Sequence, residues 1–384
     1  MFSMNDSPIY ERIDAELEER KKKDLFRSPG ASGRDMRIDL STNSYLALHE
    51  NMEVASEAGN LIDNCFSGNL ASRLIETRSP LYQTLESELA EWKKAEAALV
   101  FNSGYAANLG IIQSLCTRDT EVFCDKLNHA SLIDGIRLSG ASLARYGHCD
   151  MDDLRKRLHA SKKKEKLIVT DTVFSMDGDI APLAAICALA KQYRCMVMID
   201  EAHATGVFGK TLGGYAEECG VENDVDVIMG TLSKAAAGLG GFFSGSALLR
   251  DCFVNKARGL IYSTALPQTV LAQDLAAVRY IRRHPEMGKK LKEKALAFRK
   301  GIMALGFNTL NSATQIVPCI VKSDSEALDL SAFLMQRGIK APAIRPPTVP
   351  LNTARIRFSI HLGASSDDLA YVADQLKEWK KSHG

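Results

Sequence analysis

The 384-residue chain reads as an α/β protein, with a large, doubly wound, mostly parallel sheet domain followed by a smaller α+β C-terminal domain. Two observations carry that reading. Short apolar, often β-branched runs recur at 97–101, 121–124, 167–170, 196–200 and 226–230, as strands buried on both faces do. Between most of them lie segments long enough for helices, such as 151–159 and 183–193. Near Leu271 the pattern shifts to a long helix through Arg282, then another over 287–305. Strands at 316–321 and 355–360, with a helix between them, complete the smaller domain. The expected division is an N-terminal arm and helix over 1–45, the large domain over 46–270 and the small one over 271–384.

Taken in order, residues 9–24 are charged and helical in pattern, with Ile13 and Leu17 one turn apart. The run Arg20-Lys21-Lys22-Lys23 reads as the solvated face of that helix. Ser28-Pro29-Gly30-Ala31-Ser32-Gly33 breaks it. A helix resumes from about Ser79, with Leu81, Leu85, Leu89 and Trp92 as its apolar stripe.

Composition narrows the function. A formal net charge of +1 gives no basic excess for a nucleic-acid partner. The start, MFSMNDSPIYERIDAELEERKKK, puts charge where a signal peptide needs an apolar core, and no apolar run approaches the ~20 residues of a membrane span. Nine cysteines without a CxxC pair read as reduced thiols, not as a zinc site. The expectation is a cytoplasmic enzyme without metal, membrane or nucleic acid.

DEAHATGVFGKT, residues 200–211, spells a DEAH box running into a relaxed phosphate loop. A nucleotide site needs its phosphate loop and its Mg²⁺-binding aspartate on different strands. Here both would share the strand 196–200, in reverse order. The spelling is a chance match in a glycine-rich turn, and Lys210-Thr211 is expected to take no part in catalysis.

Other strand ends carry complementary polar residues. Asp200 closes an apolar strand, with His203 three residues on, and Thr231-Leu232-Ser233-Lys234 follows the next. Asn102-Ser103-Gly104-Tyr105 opens a helix, His129 follows the strand at 121–124, and Ser175 sits in Val173-Phe174-Ser175-Met176. Each alone has a plain structural use: an aspartate caps a helix, a lysine decorates a surface. Together they suit pyridoxal phosphate (PLP), which needs a Schiff-base lysine, an acid to hold its pyridine nitrogen protonated and helix N-terminal amides for its phosphate. Lys234 would be that lysine and Asp200 the pyridinium partner. Gly104 and Tyr105 would cradle the phosphate, His129 would stack on the ring, and His203 and Ser175 would lie near its phenolic oxygen.

The residues then resemble the α-oxoamine synthase family, PLP enzymes of the fold-type I aminotransferase architecture. The resemblance rests on Ser41-Thr42-Asn43-Ser44-Tyr45-Leu46, PLYQTLESELAEW at 80–92, FNSGYAANLG at 101–110 and LNHASLIDGIRLSGA at 127–141. It continues through VFSMDGDIAPL at 173–183, DEAHATGVFG at 200–209, TLSK at 231–234 and YSTALP at 262–267. It implies a decarboxylative condensation of a small amino acid with an acyl thioester, carried on coenzyme A or a carrier protein. The string APAIRPPTVPLNTARIR, 341–357, is similar to the branch that joins L-alanine to a pimeloyl thioester; branches using glycine or serine are the alternatives. By position, the resemblance implies that Lys234, His129 and His203 act in catalysis and that Thr231 and Ser175 help hold the cofactor. It implies that Arg345 pairs with the amino-acid carboxylate, Asn43 and Thr348 lie beside the substrate, and Arg27 lies near the acyl donor. Ser263 and Thr264 would reach the phosphate of a neighbouring subunit, which makes the expected assembly a homodimer.

Some residues depart from the family's pattern. Asn69 and Leu70 stand in a stretch that is usually glycine-rich, Ala235-Ala236-Ala237 follows the lysine, and Gln268 follows Pro267. These bear on acyl chain length and carrier more than on reaction class.

Overall fold

A computed structural model describes residues 7–23, 25–26, 36–62, 68–75 and 80–383. Its centre is a seven-stranded sheet. Across the sheet the strands run Ala97–Phe101, Gly241–Gly245, Val227–Thr231, Met196–Asp200, Glu165–Asp171, Thr120–Asp125 and Ser142–Tyr146. All neighbours are parallel except Gly241–Gly245, which runs antiparallel to both of its neighbours.

Alternation along each strand sends side chains to two helical layers. Val122, Val169 and Met198 join one buried cluster with Ile111, Ile112 and Leu132, while Phe123, Ile168, Val197 and Ile199 join another with Leu154, Leu158 and Ile186. Both faces are therefore dry, which is why these strands read as continuous apolar runs.

The C-terminal part builds a three-stranded antiparallel sheet in the order Ala343–Ile344, Ala354–Ser359, Ile316–Lys322. The helix Asp324–Met335 lies between the outer strands in sequence, opened by a capping box of Ser323 and Glu326. Ile38–Asp39 pairs in parallel with Ile339–Lys340, so the chain just after the N-terminal arm is held by the C-terminal module. The arm's helix, Pro8–Lys22, buries none of its residues.

Two strands of the seven-stranded sheet escape the sequence pattern. Ser142–Tyr146 is a sheet-edge strand in which only Tyr146 is buried, and Gly241–Gly245 is only five residues with a glycine at each end. Gly241 is needed because a Cβ there would meet the Gly104 Cα and nitrogen at 2.6 Å. The antiparallel strand thus presses directly on the turn that opens the helix Gly104–Leu115.

The DEAH stretch is a strand end followed by turns, without a helix opening behind a phosphate loop. Glu201 is buried and pairs with buried Lys93 at 2.7 Å. Lys93 also donates to Thr205 Oγ1 at 2.8 Å and to the Gly213 carbonyl, and Glu201 Oε1 accepts the Ala216 amide at 2.7 Å. Thr211 donates its hydroxyl to Glu217 at 2.9 Å, and its carbonyl accepts the Trp92 indole N–H at 2.9 Å. The box is thereby a clamp that folds residues 201–216 against the end of the helix Leu81–Trp92. Replacing Lys93 by Met strands a buried carboxylate, with an expected loss of roughly 3–5 kcal/mol in denaturant unfolding. The double variant Lys93→Met, Glu201→Leu should recover most of that loss.

A second electrostatic clasp lies at the far side of the sheet. His148 gives Nδ1 to Asp125 at 2.9 Å and Nε2 to Asp179 at 2.6 Å, edge-on to the Phe174 ring. Asp125, His148 and Cys149 also hold ligand-type atoms within 4.8 Å of one another, but both ring nitrogens are committed to carboxylates. Burial pulls the imidazole pKa down, yet the two carboxylates outweigh it and push it up to about 12. A raised pKa stabilises fully below the ordinary histidine value of 6.5 and loses that effect as pH climbs toward about 12. The melting-temperature gap between wild type and His148→Gln should therefore be widest near about pH 6 and narrow steadily by about pH 9.

Candidate active site at the strand carboxyl ends

The carboxyl ends of the parallel strands converge on a cavity of about 220 Å³. It is lined by Gly104, Tyr105, His129, Asp200, His203, Thr231 and Lys234 of the sequence-derived set. Asn108, Ser131 and Asp171 line it as well, and the sequence reading did not single them out.

Asp200 ends its strand with both carboxylate oxygens engaged. Oδ2 accepts from Asn108 Nδ2 at 2.8 Å and Oδ1 from the Ala202 amide at 2.8 Å. Asp171 is its register partner on the neighbouring strand. Burial first, then the Asp200 charge, raises the Asp171 pKa well above the usual carboxylate range, although the His129 amide donates to it at 2.8 Å. That same bond pins the turn carrying His129. The His129 ring accepts the Ser131 amide at Nδ1, 3.3 Å, which leaves its proton on Nε2. Burial lowers its pKa, which favours the neutral ring where it lines the cavity.

Lys234 is half-buried, at the end of a tight turn after the strand Val227–Thr231. Thr231 Oγ1 donates to the Gly240 carbonyl at 2.7 Å, and the Leu239 amide donates to buried Asp274 at 3.1 Å, closing the loop. Gly206, at φ +82°, packs under this loop, where a Cβ would meet that of Ala235 at 2.6 Å. Burial lowers the Lys234 pKa from 10.5 to about 8 against the pull of Asp200 and Asp171. Its Nζ lies 2.8 Å from His203 Nε2, and His203 Nδ1 lies 2.6 Å from the Tyr45 hydroxyl. Burial, then the Lys234 and Arg357 charges, depress the His203 pKa well below 6.5.

The remaining site residues lie elsewhere. Arg345 and Thr348 face a larger cavity of about 470 Å³, shared with Arg20, Leu25 and Phe26 of the arm. Two Arg345 nitrogens, Nε and Nη1, are buried without a partner among the described residues. Ser175 lines a third cavity of about 180 Å³ together with Thr348, and its carbonyl accepts from Arg357 at 2.5 Å. Asn43 Oδ1 sits behind His203, 3.3 Å from both the Tyr45 hydroxyl and Arg357 Nη2. Ser263 and Thr264 do not line the cavity; the Thr264 carbonyl accepts from Asn102 at 2.6 Å. Arg27 lies outside the described residues.

Asp171 had a readable signal: it is one residue beyond the apolar run 167–170, where strands of this class deliver side chains to sites. Tyr45 and Arg357 gave none, because only the fold brings residues more than 300 positions apart together.

The residues fit PLP on the chemistry of the donor set. An amine whose pKa burial lowers to about 8 suits an aldehyde, a buried carboxylate suits a pyridine nitrogen, and the first-turn amides of Gly104 and Tyr105 have no intrahelical acceptor. The Asn108 Oδ1 atom is buried without a partner, a further polar group awaiting one.

Comparison with known proteins agrees with this geometry. Residues 35–376 match the family model "Aminotransferase class I and II". A relative from Geobacillus kaustophilus is 44% identical over 367 residues, covering 94% of each chain. The 8-amino-7-oxononanoate synthase of Citrifermentans bemidjiense is 42% identical over 380 residues, 94% of this chain and 97% of that one. Among solved structures, a Sphingomonas wittichii serine palmitoyltransferase superimposes with a TM-score of 0.89 at 28% identity, covering 99% and 98% of the two chains. The 8-amino-7-oxononanoate synthase of Francisella tularensis does so with a TM-score of 0.78 at 26% identity, covering 90% and 98%. With matches of this extent, and a lysine, an aspartate and a helix N-terminus around one cavity, the chain belongs to the α-oxoamine synthase family of PLP enzymes.

Proposed function

We propose that this chain condenses L-alanine with a pimeloyl thioester to give 8-amino-7-oxononanoate, CO₂ and the free thiol, a step of biotin synthesis. The observation that carries the reading is Arg345, whose Nε and Nη1 are buried without a partner among the described residues, in the 341–357 stretch that is similar to the alanine-using branch. Relatives bearing that activity's name, 42% and 41% identical over most of the chain, support the choice of substrates.

When bound, PLP supplies an electron-withdrawing ring that stabilises negative charge at the amino-acid Cα. Lys234 would hold its aldehyde carbon and take the Cα proton at Nζ. Asp200, fixed by Asn108 and the Ala202 amide, would keep the ring nitrogen protonated. Gly104 and Tyr105 would offer amides to the phosphate, with Thr231 and Ser175 helping to hold the cofactor. His129 would cover one ring face, and His203 would stand by the phenolic oxygen. Arg345 would grip the alanine carboxylate in a fork that lysine cannot reproduce, with Asn43 and Thr348 nearby and Arg27 toward the acyl donor. In the overall change a C–C bond forms between Cα and the acyl carbon, the C–S bond breaks, and the carboxylate leaves as CO₂.

A homodimer is part of the proposal. Leu70, Ile75 and Tyr262 are 83%, 82% and 72% exposed, on segments joined by the bond from the Ala265 amide to the Ala71 carbonyl. Asn69 belongs to this joint, donating to the Leu266 carbonyl at 2.5 Å. Burial of that apolar strip against a second copy would carry Ser263 and Thr264 to the neighbouring cavity. No helix among the described residues is long and apolar enough to cross a membrane, which accords with a cytoplasmic enzyme.

The high similarity in shape to serine palmitoyltransferase keeps serine as an alternative amino acid; fold similarity does not choose substrates. Spectral titration with alanine, glycine and serine, followed by acyl-donor turnover, should give a response and product with alanine. A response confined to glycine or serine would sink the alanine assignment.

Borohydride should fix a pyridoxyl group on Lys234, and Lys234→Ala should lose both that label and turnover, by roughly 10²–10⁴-fold or more. Because the neutral amine is the nucleophile, cofactor capture by the cofactor-free chain should accelerate as pH rises through about 8 and then level off. Arg345→Leu should raise the alanine dissociation constant by roughly 10–100-fold while leaving bound cofactor in place. Unchanged alanine affinity would remove Arg345 from the carboxylate site.

A further inference from the structure

Behind Lys234 runs an unbroken line of polar atoms, two of whose members, Tyr45 and Arg357, have no part in the reaction scheme. Arg357 Nη2 lies 3.3 Å from Asn43 Oδ1, and Asn43 Oδ1 lies 3.3 Å from the Tyr45 hydroxyl. The line continues from Tyr45 to His203 Nδ1 at 2.6 Å and from His203 Nε2 to Lys234 Nζ at 2.8 Å. Arg357, Tyr45 and His203 are buried, while Asn43 and Lys234 are half-buried, so water is kept from the Tyr45–His203 link.

Donor and acceptor accounting fixes the direction of each link. A guanidinium only donates, so Asn43 must turn its oxygen toward Arg357 and Tyr45. When Lys234 is charged it also only donates, and His203 Nε2 must accept. His203 then carries its proton on Nδ1 and donates to the Tyr45 oxygen, and Tyr45 passes its own proton toward Asn43. When Lys234 is neutral, Nε2–H can donate to Nζ, and the Tyr45 hydroxyl swings to donate to Nδ1. Each state keeps one proton on His203 and one on Tyr45; the proton lost is that of Lys234, to water. Between His203 and Asn43, the Tyr45 hydroxyl is the group that can both donate and accept.

We infer that Tyr45 is a positioning residue whose hydroxyl lets His203 change tautomer as Lys234 changes charge. Other charged and titratable groups face the same space. Asp200, Asp171 and Arg357 act on Lys234, Arg357 and His129 on His203, and Arg357 on Tyr45. Burial raises the Tyr45 pKa, which keeps the hydroxyl protonated and the switch in place. Gln315 Nε2 donates to the His203 carbonyl at 2.8 Å, so the histidine backbone is held while its ring protons rearrange.

Removing the hydroxyl is unequal in its effect on the two states. With Lys234 charged, Tyr45→Phe leaves a buried Nδ1–H without an acceptor. With Lys234 neutral it leaves only a bare ring nitrogen, the cheaper orphan. Tyr45→Phe therefore favours the neutral amine. Asn43→Ala acts in the same direction without touching the tyrosine ring, because it removes the oxygen that accepts the hydroxyl proton in the charged state and leaves the Gln315 and Ser359 side chains as the other polar neighbours of the hydroxyl.

The test uses the cofactor-free full-length chain, so it rests on no property of the loaded enzyme. Its failure would leave the borohydride result on Lys234 untouched. Modification of Lys234 by acetic anhydride is followed across pH by mass spectrometry of its peptide. Wild type should show a midpoint near 8, Tyr45→Phe a midpoint lower by about one unit, and Asn43→Ala a smaller shift of the same sign. In ¹⁵N-histidine spectra, His203 should exchange its Nδ1 and Nε2 protonation across that midpoint in wild type and lose the exchange in Tyr45→Phe. Equal midpoints in wild type and folded Tyr45→Phe would overturn the inference. So would a shift in Tyr45→Phe that Asn43→Ala does not share.

Discussion

The site depends on one register. Asp171 and Asp200 close neighbouring parallel strands as direct partners, so two carboxylates arrive side by side under Lys234. Neither is free to solvent, and like charges in a dry site oppose each other. Asp171 yields, its pKa driven up by burial and by Asp200. Asp200 instead collects donors from Asn108 and the Ala202 amide. The lysine feels the opposite compromise, since burial pushes its proton off while the aspartates hold it on. A shift of one residue in the strand pairing would send these side chains to the other face, and the amine would lose its environment.

Much of the surrounding structure keeps that register and the lysine turn in place. The Lys93–Glu201 pair ties the residue after Asp200 to the end of a helix from the outer layer. Buried Asp274 holds the far side of the Lys234 loop through the Leu239 amide, with burial raising its pKa well above the carboxylate range. The strand Gly241–Gly245 braces the helix start at Gly104. These groups need not meet a substrate to matter, because a displacement of the loop moves Nζ.

The sheet was legible because its strands are dry on both faces, which writes them as apolar runs; 97–101 and 196–200 coincide with the observed elements. The strands at 121–124 and 167–170 extend further, through Asp125 and Asp171, because a polar last residue breaks the apolar pattern while the hydrogen bonding continues. Ser142–Tyr146 was invisible for the converse reason, an edge strand being wet. Residues of the cavity that sit at or within a few positions of strand ends, such as Asp200, Lys234 and His129, could be proposed from position alone. Tyr45, Asn108 and Arg357 could not, since a hydrogen bond between distant segments leaves no local period in either.

The DEAH spelling shows why neighbouring letters need separate physical accounts. Asp200 is the last residue of a strand and points into the cavity, while Glu201, one step on, turns away to Lys93 and the 205–216 loop. His203 returns to the cavity after that single turn, its ring between Lys234 and Tyr45. The spacing of the box is thus the spacing of a strand end and one tight turn, with its first and last letters lining the cavity and its second anchoring the turn. A motor protein would need the same letters to serve Mg²⁺ and a separate phosphate loop. Here Thr211 is bound to Glu217 and Trp92, and the turn leads into a five-residue helix capped by Gly214. Gly209 and Thr211, which would face phosphate in a nucleotide site, instead donate to Glu218 and Glu217.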